Sequence, residues 1–261
     1  MNIDSNRTVG QHAAAHPASK RVFEKLGIDY CCGGGSLISE ACEEKGIEFD
    51  QLIELLSSEE GRSTGARGAD LDFPNMSLAA LSDHIVREHH VFTRNENERI
   101  TALLEKVCSV HGDNHAELFD IQKIFGNMRL ELENHMLKEE RMLFPYISLM
   151  ESSIGFGQPV PPAPFGSTQN PIKVMLSEHD AAAEQVREMR RLSGDFTLPA
   201  DACTSYRTLY EAMEGLEKDL HEHIHLENNL LFPKAIEMEF AEPSMNPSSV
   251  RESLYDHQKP H

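Results

Sequence analysis

Two stretches of this chain place an imidazole and a carboxylate four residues apart, and their surroundings match. His135-Met-Leu-Lys-Glu139-Glu-Arg-Met-Leu-Phe-Pro145 and His223-Ile-His-Leu-Glu227-Asn-Asn-Leu-Leu-Phe-Pro233 both read H-x-x-x-E-x-x-x-L-F-P. The offset is 88 residues (223 minus 135) at every matched position. On a helix, residues i and i+4 share a face, so each copy aims a nitrogen and a carboxylate at one point. The pairs lie inside apolar stripes: Leu132, His135, Glu139, Met142 and Tyr146 in one copy, Leu220, His223, Glu227 and Leu230 in the other. A buried carboxylate must be paired, neutralised or bound to a metal. One copy would be read as a buried His–Glu hydrogen bond; two copies with one spacing point to a shared metal site.

Each half adds a histidine on an earlier helix. Leu81-Ser82-Asp83-His84 is answered by Leu176-Ser177-Glu178-His179. The lone histidine precedes the paired one by 51 residues in the first half and 44 in the second. Four histidines and two glutamates are too many for one tetrahedral zinc, and no cysteine accompanies them. Imidazole with carboxylate suits iron or manganese, and two glutamates can bridge a pair of ions. The set resembles the hemerythrin-like four-helix di-iron fold. That resemblance implies His84, His135, Glu139, His179, His223 and Glu227 as ligands of two non-haem iron ions with an oxo or hydroxo bridge; manganese is the alternative metal. Ferritin-like bundles use the opposite order, Glu-x-x-His.

The elements that must position these residues read as an all-α chain. Residues 1–57 form a small helical unit. Its first helix accommodates Pro17 and stops at Gly27; a second is capped by Ser36 and stops at Gly46; Asp50 caps a third. Residues 58–76 are polar and glycine-rich, a linker. Ser77 caps a long helix to about 110, and a second, about 115–149, carries the first pair. Pro145 is expected to kink that helix or end it soon after. The proline-rich stretch around 158–164 is a loop, the third helix runs from Pro171 to about Leu192, and the fourth, about 202–240, carries the second pair. Residues 241–261 are a polar tail. The fold class is therefore a four-helix hemerythrin-like bundle, 77–240, behind a small helical N-terminal domain.

Ahead of the bundle stands Asp29-Tyr-Cys31-Cys32-Gly-Gly-Gly35. Glycine-rich turns offer N–H groups that lower a thiol pKa, which would make these two thiols reactive; a tight turn alone also explains the glycines. This segment before a hemerythrin-like bundle resembles the repair of iron centres family, over nearly the whole chain. The resemblance implies a cytoplasmic, dimeric di-iron protein that restores iron–sulfur clusters damaged by oxidative or nitrosative stress. Its partners would be damaged iron–sulfur proteins, with nitric oxide or oxygen as small ligands. A second reading is a nitric oxide or oxygen scavenger or sensor without turnover. A third, a nitric oxide or peroxide reductase, lacks an evident electron donor in the sequence, so a non-enzymatic role is favoured.

The remaining features bound these readings. The net charge is −19, which disfavours nucleic acid and anionic membranes as partners. No apolar run approaches the roughly 20 residues that span a bilayer. Five unevenly placed cysteines and no apolar leader indicate free thiols in a cytoplasm. Of the other histidines, His221 and His225 are expected to be exposed, and His89, His90, His111 and His115 to lie at the surface or in turns. Cys108 and Cys203 are expected to be buried as small apolar side chains.

Overall fold

The computed structural model describes residues 6–16, 18–63 and 72–240. Pro17, most of the glycine-rich stretch and the tail beyond 240 lie outside the described residues. Among the described residues the regular elements are all helical, and none is long and apolar enough to cross a membrane.

Four short helices come first: α1 (Val9–Ala15), α2 (Ser19–Leu26), α3 (Ile38–Lys45) and α4 (Phe49–Ser63). None could bury much apolar surface alone. Together they enclose a small core of Val9, Val22, Phe23, Tyr30, Ile38 and Leu56, among others. Gly27 and Gly46 end α2 and α3 in the left-handed region (φ 65° and 64°), which glycine adopts without strain. α1 has no counterpart among the expected helices, and three boundaries differ from expectation. Asp50 lies inside α4 rather than capping it. Leu37, not Ser36, caps α3, with the Glu40 carboxylate accepting its N–H at 3.0 Å. And α4 continues to Ser63, past the residue-57 boundary.

Four long rods follow. The first is α5 (Leu78–His84), a wide π turn (Ile85–His90) and α6 (Val91–His111). The second is α7 (Glu117–Lys138), a π turn (Glu139–Leu143) and α8 (Phe144–Gly155). The third is unbroken, α9 (Gln169–Ser193). The fourth is α10 (Thr204–Leu226), a π turn (Glu227–Leu231) and α11 (Phe232–Phe240). In the bundle α6 packs on α10 and α7 on α9.

Pro145 and Pro233 neither end their rods nor go unaccommodated. Proline has no N–H, so the α ladder must lose a bond there. The π turn immediately before absorbs the change: Phe144 N–H reaches back five residues to Glu139 O, and Phe232 N–H to Glu227 O. The added residue also rotates the apolar stripe. Met142, on the expected inner face, is exposed, and Leu143 is buried instead.

The 88-residue repeat extends to the helix ends. Glu151 of α8 accepts the N–H groups of Leu78 (2.8 Å) and Ala79 (2.9 Å) at the start of α5. Glu239 of α11, 88 residues later, accepts the Thr168 N–H at 3.0 Å at the start of α9. Each carboxylate satisfies unpaired amides and meets the positive end of a helix dipole.

Two apolar cores occupy the bundle. One includes Ile100, Leu104, Phe125, Leu132, Val186, Leu209 and Leu220. The other includes Leu81, Ile85, Leu143, Met175, Leu226 and Phe232. The conspicuous histidines and glutamates lie along the rods between these two sets, in a polar layer with apolar packing on both sides. The N-terminal unit sits against α10 and its π turn. Lys20 pairs with Glu222 at 2.6 Å, and Asn229 Nδ2 donates to Tyr30 O at 3.1 Å. Asn229 fits because Gly10 and Gly34 face it: a Cβ there would come within 2.1 and 2.7 Å of its side chain.

Candidate metal centre

Two donor sets meet in the polar layer. His90, Glu139, His223 and Glu227 form one, and His135, Glu139, His179 and Glu227 the other. Within each set the donor atoms lie within 4.8 Å of one another, and every member is buried. Glu139 and Glu227 belong to both sets, so each can reach two ions. The π turns start at these two glutamates, where the wider turn reorients the side chain relative to the histidine four residues earlier.

Three of the four imidazoles are held from behind. His90 Nδ1 meets Glu140 at 2.7 Å, His135 Nδ1 meets Glu178 at 2.9 Å, and His179 Nδ1 meets Asn228 Oδ1 at 2.8 Å. Arg94 in turn binds Glu140 at 2.8 Å, and Lys138 binds Glu178. A partner at Nδ1 fixes the ring and leaves the Nε2 lone pair for the centre. Nε2 atoms face each other at 3.2 Å (His90 and His223) and 3.1 Å (His135 and His179). Two neutral acceptor nitrogens repel at that distance, so either a proton or a cation must lie between them.

The carboxylates carry the same message. Their oxygens stand 3.0–3.4 Å from imidazole nitrogens. Yet both oxygens of Glu139 and Oε2 of Glu227 lack a partner in hydrogen-bond geometry. Buried orphan acceptors are costly unless a cation satisfies them. Nitrogen and oxygen donors without sulfur suit iron or manganese, so the residues present fit a pair of such ions. Burial opposes a charge on His135, but the adjacent Glu139 carboxylate and the hydrogen bond to Glu178 prevail and raise its pKa to about 10. His90 is also raised against burial, by Glu139. Glu139 and Glu227 are held below the usual carboxylate range despite burial and their mutual repulsion. His223 is lowered, chiefly by burial.

Five of the six residues expected from sequence are brought together: His135, Glu139, His179, His223 and Glu227. His84 is not among them. Its ring lies half-buried beside Phe73 (4.9 Å) and His89 (5.7 Å). His90, expected at the surface, is fully buried and takes the position instead. The matching Leu-Ser-acid-His strings do not mark equivalent positions, because the residue of the first rod that meets the donor set is His90, six residues after His84. The spacing carried the signal: His90 precedes His135 by 45 residues, against 44 for His179 and His223, whereas His84 precedes it by 51.

Other expectations also change. His225 is completely buried, edge-on to Tyr30 at 5.4 Å, because the N-terminal unit covers that face of α10. His89 is buried, stacked on His223 and bonded to Asp219 at 3.0 Å. His111 is buried against Tyr206. Cys108 is buried as expected, but Cys203 is exposed at the start of α10.

Cys31 is buried and Cys32 half-buried, both free thiols. The turn does not lower the Cys31 pKa as the glycines suggested. Its N–H groups point elsewhere: Cys31 and Cys32 both donate to Asp29 Oδ1 at 3.0 Å. The neighbouring Cys32 thiol, burial and Asp29 together raise Cys31. Burial works to raise Asp29, but the Cys31 thiol and the turn's amides hold it below the usual range. The turn lies close to the buried centre. Cys32 Sγ is 3.9 Å from His179 O, and Asn228, which holds His179, donates to Cys31 O at 3.4 Å.

A cavity of about 390 Å³ opens between α7 and α9 and reaches His135, His179 and His223. Leu132, Ala182 and Leu220 line it with apolar surface, and Glu131 and Gln185 are also on its wall. It gives small molecules a way into the polar layer.

Residues 81–235 match the Hemerythrin HHE cation binding domain, and residues 5–60 match ScdA_N, a domain of unknown function. A "Probable iron-sulfur cluster repair protein" of Haemophilus influenzae is 30% identical over 236 residues, 89% of this chain and 97% of the relative. "Iron-sulfur cluster repair protein YtfE" of Enterobacter sp. (strain 638) is 32% identical over 231 residues, 88% of this chain and 97% of the relative. The protein of that name from Escherichia coli O81 is 31% identical over the same shares.

Proposed function

We propose, from the premise that this chain belongs to the hemerythrin HHE cation-binding family, that it binds two iron ions and repairs damaged iron–sulfur clusters. His90 and His223 would hold one ion, His135 and His179 the other, with Glu139 and Glu227 shared. The observation that carries this is the pair of buried donor sets with two carboxylates in common. Bound there, the ions would supply redox chemistry and exchangeable positions for small ligands.

The chain's own residues divide the remaining work. Glu140, Glu178 and Asn228 orient imidazoles. The two apolar cores pack on either side of the donor layer. The carboxylates raise the pKa of His90 and His135, so cation binding there would compete with protons. Cys31 and Cys32, of which Cys32 lies against the backbone of His179, are the candidate thiols for moving iron or nitric oxide between this centre and a damaged cluster. A homodimer in the cytoplasm completes the proposal. The cavity that reaches three of the histidines favours one second reading, a nitric oxide or oxygen scavenger without turnover.

One experiment separates the two. The iron-loaded protein is incubated with an enzyme whose cluster nitric oxide has damaged, and activity and iron transfer are followed. Recovery with transfer supports repair. Tight nitrosyl formation without recovery overturns it in favour of scavenging.

A further inference from the structure

The Asp29–Cys31–Cys32 turn has the donors of a metal site of its own. Asp29, Cys31 and Cys32 each offer a ligand atom within 4.8 Å of the other two. Cys31 Sγ stands 3.1 Å from Asp29 Oδ1 and 3.9 Å from Cys32 Sγ. The backbone is fixed by the two N–H bonds to Asp29 and by Asn229, which donates to Tyr30 O. The three donors are therefore already gathered, and little chain entropy remains to be lost on binding.

The turn faces two ways. Asp29 and Cys31 lie on the wall of a cavity of about 530 Å³ between the N-terminal unit and the α9 and α10 helices. Cys32 faces inward, onto the backbone of His179. Asn228 links the two sides, accepting from His179 Nδ1 with Oδ1 and donating to Cys31 O with Nδ2. An ion at the turn would be linked to the buried centre through Asn228 and the His179 backbone.

We propose that Asp29, Cys31 and Cys32 bind a single divalent transition-metal ion, ferrous iron in the cell, in series with the buried His/Glu centre. Two thiolates and one carboxylate select iron or zinc over magnesium or calcium, which prefer oxygen alone. Binding is an exchange without redox change. The ion gains two sulfur ligands and one oxygen ligand, both thiols release their protons to solvent, and Asp29 is already ionised. Water, or a thiolate of a client protein, takes the remaining position. That the ion is in transit rests on the repair reading; that the turn binds it does not.

The test uses the full chain, metal-free and without oxygen, titrated with cobalt(II) as a spectroscopic stand-in for ferrous iron. Two equivalents should bind the nitrogen and oxygen donors without a thiolate-to-cobalt charge-transfer band. A third should bring that band and release about two protons. Asp29→Asn keeps an oxygen acceptor for the turn's amides but removes the charge, and should weaken the third equivalent by at least about tenfold. Cys32→Ser should abolish the band and leave the first two equivalents in place, with the thermal melt unchanged. A third equivalent without the band, no third equivalent, or an Asp29→Asn variant that binds like the parent overturns the proposal. The first two equivalents are counted in the same titration, so a failure of the buried centre is read separately.

Discussion

Replacing His90 and His84 by alanine, side by side, tests the assignment at the point where sequence and structure part. His90 is fully buried; its Nε2 faces Glu139 at 3.4 Å and its Nδ1 meets Glu140 at 2.7 Å. Against the effect of burial, Glu139 and Glu140 beside it raise its pKa. Removing one partner of a buried pair costs about 3–5 kcal/mol, because the other charge stays uncompensated. His84→Ala removes a half-buried ring packed on Phe73 and should cost no more than about 1 kcal/mol. Iron content should diverge too. His90→Ala leaves His223 as the single imidazole of its donor set, and iron should fall from about two ions per chain to about one. His84→Ala should leave it unchanged. The assays are denaturant unfolding of metal-free protein and iron per chain after reconstitution. If His84→Ala halves the iron and His90→Ala keeps it, the donor sets drawn here are wrong.

Three further outcomes are expected. Glu139→Ala together with Glu227→Ala should remove both shared carboxylates and nearly all bound iron; full loading of that double variant refutes the bridging assignment. Glu151→Ala should destabilise the fold by about 1 kcal/mol through loss of the α5 cap, and Glu239→Ala by a similar amount at α9, with iron content unaffected. The third concerns pH. Burial and Lys20 lower the His225 pKa from 6.5 to about 4 in the fold. Its contribution is therefore complete above pH 6.5 and is lost as pH falls toward 4, on the order of 3 kcal/mol in all. Acid should loosen the N-terminal unit from α10 in that window, read by hydrogen exchange at α1 and α2, and His225→Gln should flatten the profile. A steep profile in that variant would show that another group is responsible.

The sequence by itself determined the periodic features. The 88-residue offset, the two H-x-x-x-E pairs, the Ser77 cap and the Gly27 and Gly46 stops are local, set by helix geometry and by conformations that few residues adopt. Four of the six residues that meet in the polar layer, His135, Glu139, His223 and Glu227, followed from them, and His179 from the Leu-Ser-acid-His string. The string match pointed to His84 for the first half, although the 45-residue spacing to His135, against 44 in the second half, already marked His90. The π turn at Ile85–His90, by contrast, exists only as part of the packed rod. Cys31 shows the same limit. Three glycines supply amides, but only the folded turn decides that the Cys31 and Cys32 amides point at Asp29 rather than at the thiol. His225 reads as a solvent-facing residue on its own helix; it is buried because residues nearly two hundred positions earlier cover it. Local periodicity is written along the chain, whereas burial and the direction of a hydrogen bond depend on what arrives from elsewhere in it.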